Sequence, residues 1–291
     1  MLFDCFTFFN ELDLLQIRLQ EMAPVVDRFV LVEATKTFQG VPKPLYFNEN
    51  RSLFAPFLDK IIHVIVEFPD VITNDLSRKS QAWGREEYQR DAIARGLATA
   101  TPTDFVMIGD VDEVVSAPIL KRVIDGWTQD RLVIFTMPMF YGFLDRRSTD
   151  PTLDNGEWGL GPRLVRRRHF TTAQKMRNSR PFRSKKLRGT VVGDLHARLM
   201  NGLKSGIVCK PEVVRSAGWH FSSIGNWDNY RTKVSAFAHE ECREWSVYKT
   251  ETAFRDYIES MTSAFTIDAL PDFVARNRAE FASKGLFYTT S

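Results

Sequence analysis

The chain has 291 residues, of which 44% are hydrophobic and 26% are charged. This composition is that of a folded globular protein and excludes a disordered chain, and the length corresponds to one large domain or two small ones. The 39 basic and 36 acidic residues leave a net charge of only +3, which excludes a protein that binds nucleic acid through its overall charge.

Cysteine usage and hydropathy narrow the class of protein further. Cys5, Cys209 and Cys242 lie far apart and form no CxxC pair, so they predict no zinc site and indicate a reducing compartment. No stretch approaches the roughly 18–20 apolar residues of a membrane span. The first nine residues have no basic start and carry Asp4 within an apolar run, which is not typical of a signal peptide. We therefore expect a soluble, cytoplasmic protein.

Strand-like and helix-like segments alternate in the first third of the chain. The apolar runs 2–9, 29–32, 60–68 and 104–109 predict buried strands, the second of which ends at Glu33. Residues 10–22 and 83–99 have the apolar spacing of amphipathic helices. The alternation predicts an α/β fold with a mostly parallel central sheet flanked by helices. Ligands of such sheets bind beyond the carboxyl ends of the strands.

The second half of the chain is less regular. Residues 132–140 and 213–221 predict two further strands, and residues 142–162 predict a loop because they are rich in Gly, Pro, Asp and Asn. Residues 268–284 predict a closing helix that stops at Gly285. No internal repeat and no clear linker divides the sequence, so we expect a single domain over residues 1–291.

A basic segment extends from residue 163 to residue 188. It contains eleven basic residues and no acidic one, so the remainder of the chain carries a net charge of −8. One interpretation is a solvated basic loop, and another is an electrostatic clamp for an anionic ligand such as a diphosphate. Nucleic acid is a third interpretation, although few aromatic residues are interleaved with the charges.

The acidic motif 110–113, DVDE, directly follows the buried run FVMIG. Residues i and i+2 of an extended chain point the same way, so Asp110 and Asp112 aim two carboxylates at one point beyond the strand. A hard divalent cation, Mg²⁺ or Mn²⁺, relieves the repulsion between them and also binds phosphates. The alternative is an acidic turn that caps a helix starting near Pro118.

His220 lies in the apolar run AGWHFS. A single histidine in such a setting is commonly a hydrogen-bonded core residue. Its imidazole is also able to complete a mixed nitrogen and oxygen site for Mn²⁺, and both interpretations stay open.

Several blocks of the sequence together resemble glycosyltransferase family 17, the family of the β-1,4-mannosyl-glycoprotein β-1,4-N-acetylglucosaminyltransferases. The resemblance covers most of residues 2 to about 245, and the matching blocks are FFNELDLLQIRL, DRFVLVEATKTFQGVPKPLYF, WGREEYQRDAIARGL, DFVMIGDVDE, DGWT, FYGF, RLVRRR and AGWHFS. It implies a GT-A-like fold, with a nucleotide-sugar-binding half over residues 1–125 and an acceptor-side half over residues 126–291. The expected partners are a nucleotide sugar, UDP-N-acetylglucosamine, and a glycan or glycoconjugate acceptor.

The resemblance also implies roles for individual residues. Asp110 and Asp112 match the DxD pair that holds a divalent metal, Mn²⁺ or Mg²⁺, against the diphosphate, and His220 resembles a further metal ligand. The residues that correspond to donor-binding positions are Asn10, Glu11, Glu33, Arg85 and Arg90. For the charged residues among them, a structural ion pair is the alternative.

The implied reaction is an inverting displacement at the anomeric carbon of the donor sugar. Arginines of the basic segment, Arg163 or Arg166 to Arg168, would close over the diphosphate. One carboxylate must accept the proton of the acceptor hydroxyl. The candidates are Glu240, Glu241 and Glu157, and we favour Glu240; for each of them the alternative is an ordinary surface carboxylate.

Two other function classes are compatible with the sequence. The motif DVDEV also fits haloacid-dehalogenase-type phosphatases, in which the first Asp is the nucleophile, but no downstream acidic pair for magnesium is evident. A catalytically inactive protein that binds a sugar nucleotide or a carbohydrate is the non-enzyme alternative.

Overall fold

The computed structural model describes residues 1–70, 72, 81–153, 156–181, 190–225, 227–236 and 249–289. Within these residues, the strands form two separate sheets. In chain order the strands are β1 (Leu2–Phe8), β2 (Arg28–Ala34), β3 (Ile61–Val66), β4 (Phe105–Asp110), β5 (Glu113–Val115), β6 (Arg131–Phe135), β7 (Met137–Tyr141), β8 (Arg146–Ser148), β9 (Glu157–Trp158), β10 (Arg163–Arg166), β11 (Lys210–Val214), β12 (Gly218–Ser222) and β13 (Thr262–Ala264).

Helices lie between these strands and at the end of the chain. They are α1 (Leu12–Met22), α2 (Tyr46–Glu49), α3 (Gln81–Asp91), α4 (Ile93–Gly96), α5 (Ala117–Asp125), α6 (Ala173–Arg177), α7 (Val191–Ser205), α8 (Trp227–Ala236), α9 (Glu251–Met261), α10 (Asp272–Arg276) and α11 (Arg278–Ser283). No helix in the described parts of the chain is both long and apolar enough to cross a bilayer.

The larger sheet has seven strands in the order β11-β6-β10-β4-β1-β2-β3. The four strands from β4 to β3 are parallel, and β11 is parallel to β6, whereas β10 is antiparallel to both of its neighbours. The prediction of an α/β fold with a mostly parallel central sheet is therefore confirmed. The smaller sheet has the order β13-β8-β7-β12-β5, with β9 paired to β7.

Hydrophobic side chains cover both faces of the larger sheet. Along β4, Phe105 and Met107 belong to one buried cluster, and Val106 and Ile108 belong to the other. This alternation is the period of two that a strand imposes on its side chains. Helix α1 packs into the first cluster and α4 into the second, so β1 and β4 lie in the middle of the protein. The carboxyl ends of these two strands consequently have a rigid base.

The sequence wrongly predicts one strand over residues 132–140 and one over residues 213–221. Each run splits in two, with β6 and β11 in the larger sheet and β7 and β12 in the smaller sheet. Both segments pass from the larger sheet to the smaller sheet at the same level. There the N–H of Thr136 donates to the carbonyl of Val214, and the carbonyl of Thr136 accepts a bond from the N–H of Ala217. Ser216 has a positive φ of 48° at this crossing. An apolar pattern alone does not show where a strand changes sheets.

The predicted closing helix over residues 268–284 is also interrupted. A short 3₁₀ turn over residues 267–269 precedes α10, and Asn277, with φ −106° and ψ 24°, separates α10 from α11. Gly285 has a φ of 72° and follows the last turn, as its predicted role as a stop signal requires. The predicted loop over residues 142–162 contains the short strands β8 and β9.

Candidate functional site

A cavity of about 300 Å³ lies at the carboxyl ends of β1 and β4. Its aromatic lining consists of Phe8, Phe9, Phe38 and Trp158. Its charged lining consists of Glu11, Glu86, Asp110, Asp112 and Glu113 together with Lys36, Lys43, Arg90, Arg177, Lys233 and His220. The position is the one that parallel sheets use for ligands, and the lining combines flat apolar surfaces with opposite charges.

Asp110 is the last residue of β4 and faces two arginines in this cavity. Its Oδ2 accepts a bond of 2.8 Å from Nη2 of Arg177, and its Oδ1 lies 3.3 Å from Nη2 of Arg90. Burial raises the pKa of the Asp110 carboxyl, but Arg177 and Arg90 outweigh burial and hold this pKa well below its usual value. Asp110 is therefore an anion at neutral pH.

Asp112 lies across the cavity and contacts a lysine and a histidine. Its Oδ2 is 3.1 Å from Nζ of Lys233, and its Oδ1 is 3.7 Å from Nε2 of His220. Burial lowers the pKa of Lys233, but Asp112 and Glu11 raise it by more, so this lysine is charged. The ring of His220 is only 7% exposed, and its Nδ1 has no hydrogen-bond partner within the described parts of the chain.

The capping interpretation of the acidic motif does not agree with the structure. The motif leads from β4 into β5, and α5 begins only at Ala117. The N-cap residue of α5 is Ser116, and the N–H of Ala117 is instead bound by Glu21. Asp110 and Asp112 line the cavity, as the two-carboxylate interpretation requires.

Glu113 is fully buried and organises the floor of the cavity. Its Oε1 accepts bonds from Nε1 of Trp158 at 2.8 Å and from Nη2 of Arg177 at 2.6 Å, and its Oε2 accepts one from the N–H of Asp110 at 3.0 Å. All these donors satisfy a charge that burial would otherwise penalise. Glu113 thus orients an aromatic ring, a guanidinium and the end of β4 together.

Arg18 of α1 is a second buried residue that positions the acidic motif. It is fully buried and pairs with Asp4 through Nε and Nη2 at 2.7 and 2.6 Å. Its Nη1 donates to the carbonyls of Asp110 and Glu113 at 3.0 and 2.8 Å. Sequence reasoning missed this role. The sequence does contain a signal for it. Asp4 lies in a buried strand and Arg18 in the helix that follows, and buried charges require partners.

The predicted donor-binding residues fall into three groups. Glu11 and Arg90 line the cavity. Asn10 neighbours it, and its N–H donates to Oε2 of Glu11 at 3.1 Å. Glu33 and Arg85 lie behind the cavity wall, where Glu33 accepts from Nζ of Lys43 at 3.3 Å and Arg85 donates to the carbonyl of Phe38 at 2.9 Å.

The basic segment sends a different arginine into the cavity than the sequence predicts. Arg163 is fully buried and donates to the carbonyls of Ser179 and Gly161. Arg166 pairs with Phe105 at the opposite end of β4 from Asp110, because β10 and β4 are antiparallel. Five residues of strand separate these ends by about 16 Å. Arg177, which the sequence did not distinguish from its neighbours, is the arginine at the cavity.

The candidate bases are placed unevenly. Glu157 is buried outside the cavity lining and accepts bonds from the hydroxyls of Thr136 and Ser216, the latter at 2.5 Å. It holds together the crossing between the two sheets. Glu240 and Glu241 lie outside the described residues, so their predicted role stays a prediction.

The donor set of the cavity agrees with the chemistry of a Mg²⁺ or Mn²⁺ site, although a complete ligand set is not preassembled. In the described ranges of the chain, no three carboxylate, imidazole or thiol groups stand close enough together to hold a metal ion. Asp112 and His220 lie 3.7 Å apart, and Asp110 lines the same cavity with its carboxylate bound to arginines. Such cations commonly use one or two protein ligands and complete their shell with water and phosphate oxygens.

Comparison with known proteins supports the family resemblance. Residues 1–131 match the model of glycosyltransferase family 17. The rat β-1,4-mannosyl-glycoprotein 4-β-N-acetylglucosaminyltransferase is 26% identical over 271 residues, which cover 87% of this chain and 45% of the rat protein. The human protein of the same name is 29% identical over 56% of this chain and 32% of its own length. The chain thus spans less than half the length of these curated relatives.

Among solved structures, a mannosyltransferase from Pyrobaculum calidifontis in complex with GDP-Man and Mn²⁺ aligns with 98% of this chain and 75% of its own. The identity is 12% and the TM-score is 0.39. At this TM-score the likeness carries no weight for the fold, and the fold assignment rests on the strand order of the two sheets.

Proposed function

We propose that this chain, whose residues 1–131 match the model of glycosyltransferase family 17, is an enzyme that transfers a sugar from a nucleotide donor to a glycan hydroxyl. In detail, the proposed reaction is metal-dependent, inverting transfer of N-acetylglucosamine from UDP-N-acetylglucosamine, with a β-1,4 linkage in the product. The names of the curated relatives support this donor and this linkage.

One observation carries the proposal, namely that Asp110, paired with Arg177, and Asp112, paired with Lys233, line a single cavity at the end of β4. A sugar nucleotide has an apolar base, a diphosphate with negative charge, and a hydroxylated sugar. The cavity has aromatic walls at Phe8, Phe9 and Phe38 together with lysine and arginine side chains, so the base and the diphosphate of such a donor each find a chemically matching surface.

Asp110, Asp112 and His220 are the residues that would hold a divalent cation in this cavity. When bound, the cation would neutralise the charge that develops on the leaving nucleoside diphosphate. The donor chemistry of two carboxylates and an imidazole suits Mn²⁺, and Mg²⁺ is the alternative.

The cationic side chains of the cavity bind and orient the diphosphate. Arg90 and Arg177 approach Asp110 from two sides, so both guanidiniums are fixed before a ligand arrives. Lys43 is anchored by Glu33 and extends into the same space. Prepositioned donors of this kind stabilise a leaving group that gains negative charge, because they need no reorganisation during the reaction.

The sugar would lie against Trp158. The indole N–H of this residue donates to Glu113, and its ring centroid is 5.0 Å from that of His220. A fixed aromatic face next to the acidic motif is suited to the apolar face of a pyranose ring.

The acceptor hydroxyl needs a carboxylate that takes its proton, and Glu240 remains our proposal, with Glu241 as the alternative. Lys233 lines the cavity seven residues before Glu240, which supports a base in this part of the chain. Glu157 is less suitable because its oxygens already accept bonds from Thr136 and Ser216.

Calorimetry with UDP-, GDP- and CMP-sugars, each with and without Mn²⁺, tests the proposal. We expect UDP-N-acetylglucosamine to bind most tightly and only in the presence of the cation. Release of UDP in the presence of a mannose-containing glycan would then demonstrate transfer. Absence of binding for every sugar nucleotide would refute the proposal, and tight binding without turnover would identify an inactive binding protein instead.

A further inference from the structure

Helix α7 has an unusual distribution of side chains. Its face toward the protein consists of small or polar residues at intervals of four, Gly193, Ala197, Asn201 and Ser205, all of which are buried. Residues four apart lie on one side of a helix, so the larger apolar side chains are turned to the opposite side. An ordinary surface helix has the reverse arrangement.

The outward side of α7 exposes a continuous apolar surface. Val191, Leu195, Leu199 and Leu203 are 85, 65, 60 and 74% exposed. Val192 and, just beyond the helix, Val208 extend the same surface. Of the ten large hydrophobic residues that are exposed in the described ranges, six lie between residues 191 and 208. This clustering marks an interaction surface, whereas isolated exposed hydrophobics need no explanation.

Positive charge surrounds this apolar surface. Arg198 and Lys204 are exposed on α7 itself. The only acidic residue between positions 163 and 210 is Asp194, and it is paired with Lys210 at 2.9 Å. The complementary surface is therefore apolar and anionic at once.

A second cavity adjoins the helix. It has a volume of about 310 Å³ and is lined by Arg180, His196 and Lys204 together with the apolar side chains of Pro181, Ala197 and Met200. The cavity lies beside the inner face of α7, since Ala197 and Asn201 line it, and its basic and apolar lining suits a phosphate that is joined to hydrocarbon. This is the chemistry of a phospholipid headgroup at the membrane interface.

We propose that α7 docks the protein onto a bilayer surface that contains anionic phospholipid. The valine and leucine side chains enter the boundary between headgroups and acyl chains, and Arg198 and Lys204 lie at the level of the phosphates. A second copy of this chain fits the surface less well, because pairing two such faces brings like charges together. The inference concerns the exposed face of α7, which does not line the first cavity, and it goes beyond the proposed function.

The hydrogen bonds on the inner face of α7 allow the exposed residues of its outer face to be substituted without loss of the fold. Asn201 accepts from the N–H of Arg180 at 3.1 Å and donates to its carbonyl at 2.9 Å, and Ser205 bonds Ser179 at 3.0 Å. These bonds fix the helix without help from the exposed leucines. Substitution of those leucines should consequently leave the fold unchanged.

Vesicle co-sedimentation of the whole chain tests the inference. The wild-type protein should bind vesicles of phosphatidylcholine with phosphatidylglycerol, and it should bind pure phosphatidylcholine vesicles much less. The triple variant L195S/L199S/L203S should bind the anionic vesicles at least about tenfold more weakly, because three apolar side chains no longer enter the interface. L53S is the matched control, since Leu53 is 59% exposed but lies away from α7.

Charge and self-association complete the test. The variant R198A/K204A should lose the part of the binding to anionic vesicles that added salt removes from the wild type. Equal vesicle binding by the triple variant and the wild type, or no wild-type binding at all, would overturn the inference. A dimer that light scattering detects in the wild type but not in the triple variant would assign the surface to self-association and would also overturn it.

Discussion

Arg18 and Asp4 form an ion pair at full burial, with 2.6 Å between Nη2 and Oδ1. The remaining amino group of the same guanidinium donates to the carbonyls of Asp110 and Glu113. The first strand and the first helix are thereby tied to the acidic motif, which is more than ninety residues further along the chain. One buried side chain fixes the direction in which β4 ends.

Substitution of Arg18, alone and together with Asp4, should distinguish its effect on the stability of the fold from its effect on the geometry of the site. Arg18→Met should lower the free energy of unfolding by about 3–5 kcal/mol, because it leaves Asp4 buried and unpaired. The double variant R18M/D4L should recover much of the stability but not the bonds to the motif. We therefore expect its affinity for Mn²⁺, measured by calorimetry, to remain weak. Wild-type Mn²⁺ affinity in the double variant would argue against a positioning role.

The acidic pair should determine the response to metal. Asp110→Asn and Asp112→Asn should each abolish metal-dependent UDP release, because each removes one of the carboxylates that would hold the cation in the cavity. Asp130→Asn serves as the control, since Asp130 pairs with Arg168 and His169 outside the cavity lining. Full activity in either cavity variant, or in excess chelator, would contradict the proposed mechanism.

Arg177 should contribute to donor binding more than the other arginines of the basic segment. Arg177→Gln should weaken the binding of the sugar nucleotide about ten- to a hundredfold, since hydrogen bonds to a charged group contribute about 1.5–3 kcal/mol. Arg166→Gln should leave the affinity unchanged, because Arg166 packs over Phe105 at the far end of β4. Calorimetric titration compares the two variants. An equal loss of affinity in both would show that Arg177 has no special role in donor binding.

The candidate bases should differ in what their loss affects. Glu240→Gln should reduce turnover about a hundredfold if this carboxylate takes the acceptor proton. Glu157→Gln should lower the melting temperature instead, because Glu157 accepts bonds from Thr136 and Ser216 at the crossing between the sheets. Steady-state kinetics and thermal unfolding measure the two effects. A change in turnover below about threefold for Glu240→Gln would transfer the role to Glu241.

Gly218 should be intolerant of any side chain. Its φ is 152°, and an added Cβ would lie 2.1 Å from the carbonyl oxygen of Val114 in the neighbouring strand. Gly218→Ala should therefore lower the melting temperature by several degrees, whereas Gly159→Ala should not, since no atom lies within 4 Å of the corresponding Cβ. Equal melting temperatures for the two variants would show that β12 shifts to admit the methyl group.

The sequence by itself determined the alternation of strands and helices over residues 1–109 and the position of the acidic motif at a strand end. Both follow from local properties, since these apolar runs between polar loops are short and rich in β-branched and aromatic residues, which favours strands over buried helices. The expectation that Asp110 and Asp112 point to one side came from the period of two of an extended chain, whereas residues 111 and 112 form a turn between β4 and β5. The sequence located the candidate site at the carboxyl ends of the parallel strands, because ligands of such sheets bind there.

Only the tertiary structure decided which charged residues meet in the cavity. Arg177 reaches Asp110, and Arg166 does not, because β10 is antiparallel to β4, and strand direction is a property of the sheet and not of the segment. Lys233 and Asp112 are brought together across 121 residues of sequence. Contacts over such separations depend on how elements pack, and no local pattern of residues encodes them.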